Sequence, residues 1–213
     1  MDVEIWSDFA CPWCAIGIAR LDVARRGFEH GGEVRVVHRS FELDPRAPAC
    51  HERSLDEVVA AKYGMSIDYV RAGHERLAAM AREVGLMFDF ERVQLGNTFD
   101  AHRLAQAARA EPVHEALIQG LFSAYFAEGR LLSDHTVLRD IAGAAGLDDG
   151  LTEMVLDGDA YALEVRADEA AATELGVTGV PYFLLNGAWP VPGAQDVETM
   201  GILLRRAWSR FGH

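Results

Sequence analysis

Apolar and polar residues at the start of the chain follow a pattern that predicts a strand, a helix and a second strand. Val3, Ile5 and Trp6 lie among acidic residues, as in a short strand. Residues 12–26 are predicted to form a helix, because Pro12 suits a first helical turn and a glycine follows the last residue. The run 34–43 is rich in β-branched and aromatic residues and ends at an Asp-Pro pair, which indicates the second strand.

The next hundred or so residues change to helical periodicity. Ser54 and Glu57 form a capping box at the start of one helix, and glycines end several of the segments that follow. The predicted helices cover residues 54–63, 66–84, 98–110, 112–128, 134–145 and 151–156. This middle part of the chain is therefore predicted to be a helical insert.

The last part of the chain returns to a mixed pattern. A helix is predicted over 159–175, and an Asn-Gly pair at 186–187 separates two apolar stretches. Such a pair is the strongest short-range signal for a two-residue β-hairpin turn. A final helix over 196–211 completes the order strand, helix, strand, helical insert, helix, hairpin, helix, which indicates an α/β fold.

Composition and charge restrict the partners. The chain has 213 residues, half of them apolar, which is enough to form a core. Its 20 Lys and Arg residues against 33 Asp and Glu residues give a net charge of −13, which repels nucleic acid and anionic membranes. The start of the sequence lacks the regions of a secretory signal, and no apolar run has the length of a membrane span. We therefore expect a soluble cytoplasmic protein with no nucleic-acid or membrane partner.

Two of the three cysteines, Cys11 and Cys14, form a Cys-Pro-Trp-Cys motif at the start of the first predicted helix. Cys14 shares a helix face with apolar residues at positions i+4 and i+7, so we expect it to be buried. Cys11 is expected to be the exposed nucleophile, because the N–H groups and the dipole at a helix start stabilise a thiolate. Cys14 is then the resolving thiol, which expels a bound partner by attacking the Cys11 sulfur.

The two residues between the cysteines influence the thiolate as well. Pro12 and Trp13 carry no positive charge, so the pKa of Cys11 is expected to be moderately lowered, mainly by the helix end. Trp13 also provides an apolar surface beside the sulfur, and both residues are candidates for substrate contact.

Other interpretations of this pair remain open from the residues alone. A structural zinc site requires two more ligands, and the candidates Cys50 and His51 are neighbours in sequence that can hardly both reach one ion. Two inert thiols are a second alternative. A Cys-x-x-Cys pair that directly follows a first strand and starts a helix favours redox chemistry, and we predict no metal site.

With the cysteine pair, the order of elements and the segment 179–181 in view, the chain resembles the DsbA-like branch of the thioredoxin superfamily. Within it the chain is most similar to the FrnE-type disulfide oxidoreductases, relatives of the kappa glutathione transferases and 2-hydroxychromene-2-carboxylate isomerases. The matching stretches are DFACPWCAIG, FELDP, NTFDAHRLAQAA, LFSAYFAEG, LGVTGVPYF and PGAQ. The resemblance implies a thioredoxin fold with a helical domain inserted after the second strand. We assign 1–50 and 158–213 to the thioredoxin-like domain and 51–157 to the insertion.

The resemblance further implies that Pro181 follows a cis peptide bond and faces the cysteines. A cis bond before proline is accessible at modest cost, and it leaves the N–H and C=O of Val180 free to pair with an extended substrate peptide. The alternative is a trans proline that begins an edge strand.

By the same resemblance, Asn97 and His102 lie in the part of the insert that covers the mouth of the active site. His102 follows Thr98 by four residues, so both side chains can share a helix face. The alternative is that Asn97 and Thr98 cap a helix and that His102 is a packing residue. Asp8 is either a proton acceptor or the end of the first strand, and Cys50 is expected to be a thiol on the solvent side.

Three functions compete. The first is a thiol-disulfide oxidoreductase that acts on protein dithiols, protein disulfides or small thiols as a monomer or homodimer, with no bound cofactor and with glutathione as an optional co-substrate. The second is a glutathione-dependent isomerase or transferase, in which a serine typically replaces the first cysteine. The third is a holdase-like binding module. Because this chain keeps both Cys11 and Cys14, we predict redox chemistry, and a reducing cytosol favours the reductive direction.

Overall fold

The computed structural model describes residues 1–211, which form a four-stranded sheet and a series of helices. The strands are β1 (Asp2–Ser7), β2 (Arg35–Ser40), β3 (Tyr182–Leu185) and β4 (Trp189–Pro192). The helices are α1 (Pro12–Arg26), α2 (Leu55–Tyr63), α3 (Ile67–Glu83), α4 (Phe99–Ala107), α5 (His114–Ser123), α6 (His135–Ala145), α7 (Asp149–Leu156), α8 (Ala162–Glu174) and α9 (Val197–Phe211). In this described part of the chain, no helix is both long and apolar enough to cross a membrane.

The sheet has the strand order β2-β1-β3-β4, so β1 lies in its interior. β1 pairs in parallel with β2 and antiparallel with β3, and β3 pairs antiparallel with β4. Ile5, in the middle of β1, is opposite His38 on one side and Phe183 on the other, and all three are buried. Asn186 and Gly187 adopt the positive φ angles, 50° and 68°, of the predicted hairpin turn. The predicted α/β fold class is confirmed.

The chain divides into two compact units. The first contains Met1–Leu43 and the segment from Val165 onward, and the second contains Asp44–Glu164. The sequence places these boundaries at 50/51 and 157/158, slightly inside the second unit on both sides. The whole sheet, α1 and α9 belong to the first unit, and α2 to α7 belong to the second.

A buried carboxylate joins α8 to the first two strands. Asp168 accepts hydrogen bonds from the Arg39 guanidinium at 2.9 Å and from the Ser40 N–H at 3.0 Å. Its main-chain carbonyl accepts a further bond from the indole N–H of Trp6 at 2.8 Å, and Arg39 also pairs with Glu4. A buried charge is tolerated when it is paired and hydrogen-bonded, as it is here. These contacts fix α8 beside β1 and β2.

The second unit is helical and has an aromatic cluster of its own. Phe88, Phe90, Tyr125 and Phe126 pack against one another, and His74 stacks on Phe90 with 4.3 Å between the ring centres. Tyr125 and Phe126 are almost fully buried. The helical insert that the sequence predicts therefore has its own apolar core.

One predicted helix differs from the structure. The sequence predicts a continuous helix over 112–128, but α5 ends at Ser123 and is followed by a π-helical turn, Ala124–Glu128. The N–H of Gly129 donates to the carbonyl of Ala124, and Gly129 has a left-handed conformation with a φ of 67°. Helical periodicity does not reveal such a turn, because its wider hydrogen-bonded ring departs from the 3.6-residue repeat only locally.

We predict that Gly129→Ala lowers the free energy of unfolding by about 2 kcal/mol or more. The new Cβ atom would be strained at positive φ and would lie 2.3 Å from the carbonyl oxygen of Arg92. Gly85→Ala is the matched control, since Gly85 has a φ of 82° but its Cβ would meet nothing within 4 Å. This control should lose only about 1 kcal/mol. Denaturant unfolding measures both variants, and equal losses would contradict the steric contribution at Gly129.

Candidate active site

The Cys-Pro-Trp-Cys motif lies where β1 ends and α1 begins. Cys11 precedes α1 as its N-cap residue with an extended backbone (φ −100°, ψ 112°), and Pro12 lies in the first helical turn. The N–H of Cys11 donates to the carbonyl of Asp8 at 3.1 Å, which closes the turn between strand and helix. Cys11, Cys14 and the third cysteine, Cys50, are all free thiols.

Both cysteines of the motif are buried. Cys14 is fully inaccessible, as its helix face predicts, and Cys11 retains only 5 % of its accessible surface. The expectation of an exposed Cys11 is therefore wrong. The Val180 carbonyl oxygen lies 3.6 Å from the Cys11 sulfur and accepts a hydrogen bond from its thiol. Because Val180 is remote in sequence, helical periodicity around the motif could not reveal this contact.

The pKa of Cys11 is lowered from its ordinary value, chiefly because the Cys14 thiol donates a hydrogen bond to the Cys11 sulfur. Burial raises this pKa, the backbone N–H groups of Cys14 and Trp13 lower it, and the Asp8 carboxylate raises it. The direction agrees with the sequence-based expectation. The expected main cause was wrong, because the neighbouring thiol contributes more than the helix end.

The second thiol of the motif is shifted in the opposite direction. Burial raises the pKa of Cys14 well above its ordinary value, and the hydrogen bond and charge interaction with Cys11 raise it further. The two thiols therefore differ in acidity, and Cys11 loses its proton more readily than Cys14. In such a pair, the more acidic thiol can attack a disulfide first, and the second thiol can then attack the mixed disulfide that results.

The segment opposite the cysteines begins with a cis peptide bond between Val180 and Pro181. Pro181 is buried, and Val180 packs against the apolar cluster around Trp6. The sequence-based expectation of a free Val180 carbonyl is wrong for the dithiol state, because this oxygen accepts the hydrogen bond from Cys11. The structure thus brings Val180, with Pro181 directly after it, to the Cys11 sulfur.

Trp13 lies beside the motif with 42 % of its surface exposed, and Pro12 is half-buried. An exposed indole next to a buried nucleophile provides an apolar surface for a molecule that approaches the sulfur. The participation of Pro12 and Trp13 in substrate binding stays a prediction.

Asp8 is a buried carboxylate at the base of the motif. It retains 2 % of its surface, and its two oxygens accept hydrogen bonds from the N–H groups of Ala10 at 3.2 Å and Leu43 at 2.7 Å. Its negative charge raises the pKa of both Cys11 and Cys14. Sequence position suggests only a strand end or a proton acceptor for Asp8. Its contact with the distant Leu43 shows that Asp8 also anchors the segment after β2.

Asn97 and His102 lie in the second unit, at the start of α4. The side-chain oxygen of Asn97 accepts a hydrogen bond from the N–H of Phe99 at 2.7 Å, which closes an Asx turn just before α4. Thr98 and His102 are both buried, and the N–H of His102 donates to the Thr98 carbonyl at 3.0 Å. Thr98 therefore occupies the N-cap position of α4, as the capping alternative predicts, and the side chain of Asn97 orders the turn that leads into the helix. A role of Asn97 or His102 in substrate binding stays a prediction.

The third cysteine, Cys50, and the neighbouring His51 are the two candidates for additional metal ligands. Cys50 is exposed, which agrees with the predicted solvent-side thiol, and the ring nitrogen Nδ1 of His51 accepts a hydrogen bond from the N–H of Arg53. Among residues 1–211, no group of three or more histidine, cysteine or acidic side chains is arranged to hold a metal ion. The geometry of the Cys11 and Cys14 pair itself favours the redox interpretation.

The second unit contains a buried arginine, Arg103, that the sequence does not predict. Arg103 retains 4 % of its surface and donates to the main-chain carbonyls of Val155, Gly158 and Ala160. It also pairs with Asp100 at 2.8 Å. An Asp and an Arg three residues apart on a helix are ordinarily a surface pair, so no sequence signal marks this one as buried. Arg103 ties α4 to the end of α7 and to the chain that follows it.

Comparison with known proteins agrees with this architecture. The family model of the DSBA-like thioredoxin domain matches residues 2–204. The crystal structure of a probable DsbA oxidoreductase from Streptomyces coelicolor is 44 % identical, with 98 % of this chain and 90 % of that chain covered and a TM-score of 0.93. Two structures that are 17 % identical have a TM-score of 0.69. One is the cytosolic disulfide reductase DsbM from Pseudomonas aeruginosa, with 99 % of this chain and 100 % of that chain covered. The other is a 2-hydroxychromene-2-carboxylate isomerase, with 100 % of this chain and 96 % of that chain covered. Both share the fold.

We predict that Cys11 forms a thiolate at lower pH than a free cysteine, whose pKa is about 8.5, while Cys14 stays protonated. In the Cys50→Ser variant, ultraviolet thiolate absorbance should show one transition below that of free cysteine. Cys14→Ala in the same background removes the hydrogen-bond donor and should raise the pKa of Cys11. A transition at or above the free-cysteine value before this substitution would contradict the assignment.

A second prediction concerns the charge of Asp8. Asp8→Asn should lower the pKa of Cys11, because the carboxylate raises it in the native protein. Asp2→Asn is the matched control, since it removes the same charge at the far end of β1 and should leave the Cys11 titration unchanged. Thiolate absorbance measures both variants. An unchanged or higher Cys11 pKa in Asp8→Asn would refute the electrostatic role.

Proposed function

The chain belongs to the DsbA-like family of thiol-disulfide oxidoreductases, and we propose that it exchanges disulfides with protein substrates through Cys11 and Cys14. The observation that carries this proposal is the pair of thiols with opposite pKa shifts at the start of α1. Cys11 and Cys14 supply the chemistry, and Val180 beside them supplies a main-chain contact for a polypeptide.

In the reductive direction, the reaction begins with the Cys11 thiolate and a disulfide of the substrate. The Cys11 sulfur attacks one substrate sulfur, so that a mixed disulfide forms and the substrate disulfide breaks. The second substrate sulfur leaves as a thiolate and takes a proton from solvent. The lowered pKa of Cys11 provides the thiolate that this step requires.

Cys14 completes the exchange. It loses its proton and attacks the Cys11 sulfur, which forms the Cys11–Cys14 disulfide and releases the remaining substrate sulfur as a thiol. The substrate has then gained two electrons and the cysteine pair has lost two. Formation of the mixed disulfide removes the negative charge from Cys11. One cause of the raised pKa of Cys14 therefore disappears at the step in which Cys14 must ionise.

The carbonyl of Val180 is the proposed contact for a polypeptide. In the dithiol it accepts a hydrogen bond from the Cys11 thiol at 3.6 Å. Once Cys11 is ionised or in a mixed disulfide, that proton is absent, so the carbonyl can accept a substrate N–H instead. An extended segment then pairs with Val180 as an added strand beside Cys11. The exposed indole of Trp13 adds apolar contact.

A second thiol compound restores the dithiol. The oxidised pair takes two electrons from two molecules of a small thiol such as glutathione, or from a protein dithiol, and the donor leaves as a disulfide. No bound cofactor takes part in this cycle. We place the cycle in the cytoplasm, where a reducing thiol pool keeps Cys11 and Cys14 in the dithiol form and drives net reduction of substrate disulfides.

A glutathione-dependent isomerase or transferase is the competing function. The fold is shared with a 2-hydroxychromene-2-carboxylate isomerase. Activation of bound glutathione requires no resolving thiol, whereas here Cys14 lies within hydrogen-bond reach of Cys11. This thiol pair favours the oxidoreductase.

The proposal is tested by insulin-disulfide reduction with single-cysteine variants. Cys11→Ser is expected to reduce the rate to that without protein, because the remaining thiol of the motif, Cys14, is fully buried and its pKa is raised. Cys14→Ser is expected to accumulate mixed disulfides, because the captured substrate cannot be expelled. Cys50→Ser, which replaces the exposed third thiol, is the matched control and should keep full activity.

Each competing function predicts a different outcome in this assay. Full activity in both Cys11→Ser and Cys14→Ser would overturn the proposal. Activity that requires added glutathione and survives in Cys14→Ser would indicate an isomerase or transferase. Binding of unfolded chains that is unchanged when both cysteines are replaced, without any reductase activity, would indicate a holdase-like module.

A further inference from the structure

Helix α1 carries a glycine on the face that contacts Pro181 of the segment 179–181, which we call the Pro181 segment. A Cβ atom on Gly17 would lie 3.0 Å from Cγ of Pro181, 3.2 Å from Cβ of Ala194 and 3.3 Å from Cζ of Phe183. Gly17 is itself buried, and Phe183 is completely buried in the sheet. Side chains from three positions therefore occupy the space that a side chain of residue 17 would take.

A second contact holds the chain after β4 against α1, next to Pro181. One turn further along the helix, the Arg20 guanidinium donates to the carbonyl of Ala194 at 3.2 Å. The N–H of the neighbouring Gly193 donates to the carbonyl of Pro181 at 2.8 Å. A series of direct contacts thus connects α1 to Pro181.

We propose that Gly17 is a positioning residue that favours extended polypeptide disulfides over small disulfides, an inference that rests on the proposed function. The absence of a side chain lets the Pro181 segment lie against α1, and the adjoining Val180 carbonyl is then 3.6 Å from the Cys11 sulfur. A polypeptide substrate needs both groups at once, the sulfur for exchange and the Val180 main chain for pairing. A small disulfide needs only the sulfur.

A methyl group at position 17 forces one of its neighbours to move. A carbon-carbon distance of 3.0 Å is shorter than the preferred contact of about 3.5–4.0 Å. Phe183 lies in β3, which is paired on both sides, whereas Pro181 and Ala194 lie outside the strands. Pro181 and Ala194 are therefore the neighbours that yield, and Pro181, which makes the shorter contact, carries the adjoining Val180 away from the sulfur.

The test compares two substrates on the same protein preparations, insulin as the polypeptide disulfide and hydroxyethyl disulfide as the small one. Gly17→Ala is expected to lower the ratio of the insulin rate to the small-disulfide rate about threefold, and Gly17→Val roughly tenfold. Arg20→Ala, which frees Ala194 and, through the neighbouring Gly193, loosens Pro181 without adding volume, should lower the ratio as well. Gly143→Ala in α6 is the matched control, because its Cβ would meet nothing within 4 Å, and it should leave the ratio unchanged.

The ratio does not depend on the folded fraction, because the same folded molecules produce both rates. Absence of insulin-disulfide reduction in the unmodified protein would overturn the proposed function, and this inference with it. Native activity with an unchanged ratio in both Gly17 variants would overturn the role of Gly17 alone. Equal loss of both rates would also overturn it, because such a loss reports a disturbed Cys11 rather than a displaced Val180.

Discussion

The approach of the Cys11 sulfur to the Val180 carbonyl is the contact on which the rest of the site depends. The antiparallel pairing of β1 with β3 places Trp6, near the end of β1, opposite Tyr182, the first residue of β3. The residues that follow β1 and those that precede β3 therefore lie next to each other, beyond the same end of these two strands. The hydrogen-bonding pattern of two strands thus brings a nucleophile and a main-chain acceptor from distant parts of the chain to within 3.6 Å.

Within this arrangement, the difference between the two thiols is electrostatic rather than a matter of exposure. Both cysteines are buried, and the thiol of Cys14 stabilises the thiolate of Cys11 at the expense of its own ionisation. The carboxylate of Asp8 opposes both ionisations from the base of the motif. The difference between the two pKa values depends on the state of Cys11. When Cys11 enters a mixed disulfide it loses its charge, and the pKa of Cys14 falls. The order of the two proposed chemical steps follows from this dependence.

Much of the fold was accessible from local patterns. The hairpin at Asn186-Gly187 and the helix that begins at Pro12 have short-range signals, because their backbone conformations depend on the residues at those positions. Helix phasing likewise identified Cys14 as buried. The π-helical turn at Ala124–Glu128 and the burial of Arg103 had no such signal. The turn departs from the 3.6-residue repeat only locally, and the burial of Arg103 depends on carbonyls more than 50 residues away.

The sequence by itself determined the order of elements, the cysteine pair at a helix start and the direction of the Cys11 pKa shift, because each follows from residues close together in the chain. The tertiary structure decided that Cys11 is covered, that its sulfur contacts Val180, and that Gly17 and Arg20 support the Pro181 segment. These features arise from strand pairing and from the packing of α1 against residues 181–194. Their partners are set by the folded chain, which no local pattern of apolar and polar residues specifies.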